Sequence, residues 1–237
     1  MLARHKENMG LETLWREMAE ICPVFAINGE NVKIIKEPST FYRTLLELSE
    51  KACRRIVLSS LYLGTGGLEK NLVDTLTNAL SKGVRITVLL DYSRGTRGDP
   101  DSCSMLLPLL TDNRGNTGVY LFHSPLLRGI LKLLLPVRWN EIISVQHMKL
   151  YIFDDTLIIS GANLSHDYFT SRQDRYITIS NCGPLADFYT DLVAAVSRFS
   201  FQLHPNGQLN LSSGTVHPFL GICFLFKIIK LNINEWN

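Results

Sequence analysis

Two apolar runs, residues 54–63 and 84–92, bracket an amphipathic segment, and this arrangement restricts the fold more than any other feature of the chain. Both runs are rich in Ile, Val and Leu, as strands covered on both faces are. Between them Leu68, Leu72, Leu76 and Leu80 recur at helical spacing over residues 68–81, and Gly83 closes that helix. Strands at 118–122 and 176–180 and helices at 103–110 and 184–201 continue the alternation. In the last helix Pro184 stands at the start, and Leu185, Phe188, Leu192, Ala195 and Phe199 point inward. Toward the N-terminus, residues 1–21 read as a short polar helix or a loose arm, and 24–36 as two short strands around a turn at 28–31. A helix then starts at Pro38-Ser39-Thr40, with Ser39 or Thr40 as its cap and Phe41, Leu45, Leu48 and Ala52 on one face. Strands alternating with helices predict an α/β layer around a largely buried mixed sheet.

Residues 144–163 carry the densest chemistry. Around His147 and Lys149 the pattern reads as a strand, and a two-residue spacing puts both side chains on one face. Met148, Leu150 and Ile152 fall on the other face, toward a core. Asp154 stands where the strand turns, with Asp155 as the second turn residue. Residues 156–160 read as the returning strand, and Ser160-Gly161-Ala162-Asn163 as the loop after it. An imidazole beside an ammonium, with an amide close by, is suited to attack and neutralise a phosphate diester.

The pattern His-x-Lys-x-x-x-x-Asp, here His147, Lys149 and Asp154, occurs once and resembles the signature of the phospholipase D superfamily. Ser160-Gly161-Ala162-Asn163 resembles that family's small-small-x-Asn loop. The longer run through Arg172-Gln173-Asp174-Arg175-Tyr176 is similar to the mitochondrial phosphatidylglycerophosphate synthases, and the likeness covers roughly residues 22–205. It implies an α/β phospholipase D-like half-domain, a mixed, mostly parallel β-sheet sandwiched by helices. It also implies an arm at 1–22, the domain at 23–203 and a tail outside the family at 204–237.

The reaction implied is transfer of a phosphatidyl group from CDP-diacylglycerol to glycerol 3-phosphate, giving phosphatidylglycerophosphate and CMP. In that scheme His147 is the nucleophile and forms a phosphohistidine, while Lys149 and Asn163 bind the phosphoryl oxygens, so no metal is required. Asp154, at the strand end, braces the loop. An attacking imidazole needs a carboxylate to fix its tautomer. Asp174 is the candidate, with Gln173 second; the alternative is a surface ion pair of Asp174 with Arg172 or Arg175. The superfamily builds one site from two His-x-Lys motifs, yet His5, His123, His166, His204 and His217 all lack Lys two residues on. A second subunit is therefore one way to complete the site. Two other readings compete: a homodimeric single-motif phosphodiesterase or nuclease, and a half-domain without catalysis.

Loops at strand ends supply further candidates. Ser59 and Ser60, with Gly64, Thr65 and Gly66, precede the helix at 68–81. A glycine loop at a helix N-terminus presents free backbone N–H groups to an anion, so this is either a simple turn or a contact to phosphate or a cytidine nucleotide. No Lys follows the loop, which excludes a nucleotide P-loop, although the resemblance carries an association with ATP. Residues 91–102 form a polar loop where ligand clefts of α/β sheets gather. Its Arg94 and Arg97 either hold the phosphate of a small acceptor or belong to a solvated loop. Residues 126–135 are apolar, with Arg128, Lys132 and Arg138 interleaved and Trp139 just beyond. That run is a buried helix or one lying on a membrane surface, and is too short to span.

A formal charge of +2, with no aromatic-basic clustering, leaves no nucleic-acid footprint. The five cysteines are scattered without Cys-x-x-Cys spacing, which argues against a disulfide framework and a zinc site and suits a reducing compartment. Glu7, Glu12, Glu17 and Glu20 do not fit a transit peptide, so a mitochondrial location is implied by the resemblance alone. The apolar run at 216–231 is broken by Lys227 and Lys230, too interrupted for a membrane span.

Overall fold

The computed structural model of the chain describes residues 2–111, 115–124 and 145–211, with side chains from residue 12 onward. The apolar run at 126–135, Arg138, Trp139 and the tail beyond 211 lie outside the described residues. The strands are β1 (Val32–Ile35), β2 (Arg55–Ser59), β3 (Arg85–Asp91), β4 (Thr117–Phe122), β5 (Leu150–Phe153), β6 (Thr156–Ser160), β7 (Tyr176–Ile179), β8 (Phe201–Leu203) and β9 (Leu209–Leu211). They form one sheet in the order β1-β7-β6-β5-β2-β3-β4-β8-β9. The helices are α1 (Leu2–Ile21), α2 (Pro38–Lys51), α3 (Gly67–Ser81), α4 (Tyr92–Gly95), α5 (Ser102–Leu106), α6 (His166–Thr170) and α7 (Gly183–Ser197).

The α/β layer and mixed sheet agree with the sequence, but the sheet is not mostly parallel. Only β2–β3 and β3–β4 run parallel; the other six pairings are antiparallel. A parallel pair needs a crossover, and α3 supplies it between β2 and β3. The connection between β5 and β6 is a two-residue turn, which forces an antiparallel pair.

Helices cover both faces. On one, Phe41 and Leu45 of α2, Leu72, Leu76 and Leu80 of α3, and Phe169 of α6 pack with Ile56, Leu58, Tyr151 and Phe153 of the sheet. Phe41 is the hub, stacked on Tyr176 at 4.5 Å and tilted against Tyr151 at 5.7 Å. On the other, Leu185, Ala186 and Val193 of α7 cover Val57, Leu89, Leu150, Ile152 and Leu157. Met148 packs on this second group, so Met148, Leu150 and Ile152 do share the core-facing side.

Several local expectations change. Residues 24–36 make one strand, not two: β1 takes β7 as its partner, after a 3-10 turn at Gly29–Asn31 tightened by the Asn28 side chain accepting from the Glu30 N–H. α2 begins at Pro38 with Glu37 as its N-cap and no side-chain cap, so neither Ser39 nor Thr40 caps it. The polar stretch at 91–102 contains α4, capped by Asp91. α6 follows the loop after β6 and buries Tyr168 and Phe169. α7 stops at Ser197, earlier than periodicity suggests, and Phe201 pairs instead with Leu121 at the free edge of β4. β8 and β9 form a hairpin that carries the sheet past residue 203, so the expected start of the tail at 204 falls inside it.

Candidate active site

The C-terminal ends of β2, β3 and β6 and the N-terminal end of β5 meet at one edge of the sheet. His147 and Lys149 lie on the lead-in to β5, which has no strand pairing before Leu150. His147 is exposed, whereas Lys149 is 4% exposed. The Lys149 Nζ donates to the His147 carbonyl, 3.0 Å, leaving further ammonium protons for a ligand. Burial lowers the Lys149 pKa to about 8, partly offset by the charge of Asp174. Burial and then the Lys149 charge lower that of His147, so its imidazole is neutral, hence nucleophilic, near pH 7.

β6 returns the chain to this edge, and the Ser160 N–H donates to the Lys149 carbonyl, 3.2 Å. Asn163 is thereby brought to the edge, 5% exposed, with its Oδ1 unpartnered among the described residues. The loop that carries it is tied on both sides. Gly161 N–H donates to Asp174 Oδ1 (3.1 Å), and Ala162 N–H to Ser160 Oγ (2.9 Å). The Ala162 carbonyl accepts from the buried Tyr151 hydroxyl (2.5 Å), the Leu164 carbonyl from Gly64 N–H (2.8 Å), and His166 N–H donates to Glu69 Oε1 (2.5 Å). A Cβ on Gly161 would lie 2.6 Å from Asp174 Oδ1, so any side chain there would displace that carboxylate.

Other candidates fall differently. Asp154 is at the opposite end of β5, about 16 Å from Lys149 at a strand's rise per residue. Its carboxylate accepts from the Cys53, Arg54 and Arg55 N–H groups at 2.9, 2.8 and 3.0 Å. Burial works against its ionisation, yet those bonds hold it below the usual carboxylate range. It braces the start of β2, at the end of the sheet away from His147 and Lys149, where the sequence reading has it bracing the loop. Asp174 does not reach His147: its Oδ1 takes the Gly161 and Arg175 N–H groups, and its charge acts on Lys149. Gln173 is turned away, its Nε2 donating to the Lys36 carbonyl at 2.7 Å. Among the described residues no carboxylate bonds the His147 ring.

Ser59 and Ser60 are fully buried and engaged, Ser59 Oγ accepting from Gln146 Nε2 and Ser60 Oγ donating to the Tyr62 carbonyl at 3.1 Å. They brace the edge and are not open to a ligand. The glycine loop is occupied by one of the protein's own side chains. Glu69, 1% exposed, fills its inner side; a Cβ on Gly64 would collide with Glu69 Oε1, and one on Gly66 would lie 2.8 Å from Oε2. Gly64, Thr65 and Gly66 therefore wrap a carboxylate and do not form a phosphate cradle. Arg94 is half-buried with its guanidinium 5.1 Å from the Tyr62 ring centroid, and Arg97 is exposed. Sequence reasoning missed Gln146, Asp91 and Glu69. An acidic residue ending a buried strand, as Asp91 does, was the available signal.

The sequence profile of the family described as cardiolipin synthase, PLD-like domain, matches residues 45–192. The mitochondrial CDP-diacylglycerol–glycerol-3-phosphate 3-phosphatidyltransferase of Cricetulus griseus is 44% identical over 209 residues, 85% of this chain and 38% of that protein. The protein of that name from Gallus gallus is 46% identical over the same shares. The Schizosaccharomyces pombe CDP-diacylglycerol–glycerol-3-phosphate 3-phosphatidyltransferase is 44% identical over 84% of this chain and 41% of its own length. The chain thus spans about two fifths of these relatives. In structure it resembles phosphatidylserine synthase of Haemophilus influenzae, with TM-score 0.61 and 18% identity over 93% of this chain and 47% of that one. It also resembles Nuc, a phospholipase D family member of Salmonella typhimurium, with TM-score 0.55 and 16% identity over 73% and 97%. At such identities these two likenesses bear on the fold alone.

Proposed function

The chain belongs to the phospholipase D-like family of the cardiolipin synthase type, and from that membership we propose that it is the nucleophile-bearing half of a phosphatidyltransferase. The donor is CDP-diacylglycerol and the acceptor glycerol 3-phosphate, as the relatives' names describe for those proteins. One observation carries the reading: an exposed imidazole at His147 directly follows a tethered residue and lies close enough to the buried Lys149 for that ammonium to lower its pKa. The imidazole nitrogen bonds to phosphorus, the P–O bond to CMP breaks, and CMP leaves with the electron pair. Lys149 and the Asn163 amide bind the phosphoryl oxygens as negative charge builds on them. A second acid–base group protonates CMP, then deprotonates the glycerol 3-phosphate hydroxyl, which displaces His147 from phosphorus.

Only one His-x-Lys pair is present in the 237 residues, so that second group comes from another polypeptide segment, a second copy included. The nucleotide is part of the donor, and no cofactor takes part in the transfer. Because the proposed donor is a lipid, the reading has the chain meeting it at a membrane surface; among the described residues no helix is long and apolar enough to cross a membrane. That the Cricetulus griseus and Gallus gallus relatives are named mitochondrial supports a mitochondrial membrane as that surface.

Acyl-labelled CDP-diacylglycerol tests the reading. Acid-labile label is expected on the wild-type chain and absent from His147→Ala. A wild-type chain that takes no label, or equal label on both, ends it. Release of the label by water but not by glycerol 3-phosphate would instead identify a phosphodiesterase.

A further inference from the structure

Asp91 ends β3 and is 2% exposed. Its two carboxylate oxygens go to backbone N–H groups on separate segments. Oδ1 accepts from Arg94 at 3.1 Å, and Oδ2 accepts from Gln146 at 3.0 Å. The Gln146 side chain is held as well, its Nε2 donating to Ser59 Oγ at the end of β2. Gln146 immediately precedes His147, and on the other side of His147 the first backbone tie to the sheet is at Lys149, whose carbonyl accepts from Ser160 N–H and whose Nζ donates to the His147 carbonyl. His147 is therefore suspended between two anchors, Asp91 with Ser59 on one side and β5 on the other. The same carboxylate fixes the backbone of Arg94, whose guanidinium sits over Tyr62.

Burial pushes the Asp91 carboxyl up to about 6 despite the bonds it accepts, so the carboxylate is held there at a cost. An apolar side chain would fill the space without that cost, but it could not hold two N–H groups at fixed positions. Small displacements of a nucleophile matter far more to rate than to folding.

We propose that Asp91 is a positioning residue for phosphoryl transfer, setting the His147 imidazole through Gln146 and keeping the Arg94 arm in register with it. The inference rests on the reading of His147 as the nucleophile. Its test uses bis(p-nitrophenyl) phosphate, whose leaving group needs no acid, so this chain alone can carry out the first step. The His147 nitrogen bonds to phosphorus, one P–O bond to nitrophenyl breaks, p-nitrophenolate departs with the electron pair, and the ring N–H proton passes to solvent.

In Asp91→Asn the burst rate per site is expected to fall about 10- to 100-fold, with half-saturation held within about twofold. Ser59→Ala, which removes only the side-chain bond of Gln146, should fall between that variant and the wild type. A purely structural Asp91 would lower the fraction folded and leave the rate per site alone. A rate within about twofold of wild type in Asp91→Asn, or in Ser59→Ala should the first variant not fold, overturns the proposal. So does a loss confined to half-saturation.

Amide exchange in the full chain separates this inference from the functional one. Exchange at Gln146 should accelerate about tenfold or more in Asp91→Asn, as expected when a local hydrogen bond opens. Unchanged exchange overturns the clamp. If the wild type gives no burst, the nucleophile reading fails and the exchange result alone decides on Asp91.

Discussion

His147 and Lys149 act on each other's protonation, and both effects favour chemistry near neutrality. Lys149, drawn down to about 8, is still mostly cationic at pH 7, and its charge helps keep the neighbouring imidazole neutral. The rate of the first step should therefore climb as His147 deprotonates, level off, and fall above about 8 as Lys149 loses its proton. In Lys149→Met the alkaline fall should vanish and the acid limb should move up, because the cation depressing His147 is gone. A pH profile of the nitrophenolate burst checks this, and an alkaline limb surviving in that variant would refute the role given to Lys149. The same shift has a consequence for stability. Between about 8 and 10.5 the unfolded chain binds more protons at this lysine, so the folded state gains stability as pH rises through that window.

Among the elements, the loop from Ser160 to His166 depends on the most distant parts of the chain. Glu69 at the start of α3 holds its far end, Tyr151 of β5 its middle, and Asp174 its near end. Asn163 is thus placed by three side chains from separate parts of the chain. Gly64→Ala tests this arrangement. The new Cβ would collide with Glu69 Oε1 and stand 3.1 Å from the Ser165 Cβ, so one of the two segments must move. We expect a loss of about 1–3 kcal/mol in stability, as for other overpacked sites, and a burst rate reduced along with it. Denaturant unfolding and the burst assay measure the two effects. Gly67→Ala, where nothing lies within 4 Å, is the matched control and should be close to neutral.

At the scale of the molecule, strand directions decide where the chemistry gathers. β2 and β3 run parallel and deliver Ser59 and Asp91 to one edge, while the antiparallel β5 and β6 deliver Lys149 and Asn163 to the same edge. The opposite edge is structural, where Asp154 and Asp155 pin the start of β2 through Arg54 and Arg55. A single nucleophilic pair at one edge makes a distinct kinetic prediction. The chain should complete the first step on its own but release product slowly for want of an acid–base partner. Added imidazole should accelerate turnover of CDP-diacylglycerol while leaving the burst unchanged. Turnover indifferent to imidazole would mean that the purified protein already contains a complete site.

The hairpin and the helix between β2 and β3 were legible in the sequence because each depends on neighbours a few residues away, whereas the strand read around His147 and Lys149 begins only at Leu150. Alternation puts Met148, Leu150 and Ile152 on one side, and the leucine period of α3 survives in any fold that buries it. Which groups serve which carboxylate was not legible. The pairing of Asp91 with Gln146 spans 55 positions and that of Glu69 with His166 spans 97. A glycine loop that looks open to phosphate in one dimension is closed by a glutamate only once α3 and α6 meet. Likewise Asp174 attends to Lys149 and not to His147, because β6 and β7 bring it to the Gly161 side of the site. Side-chain type and spacing determined what chemistry this chain carries; the order and direction of strands decided which residues hold it in place, since long-range contacts have no local signature.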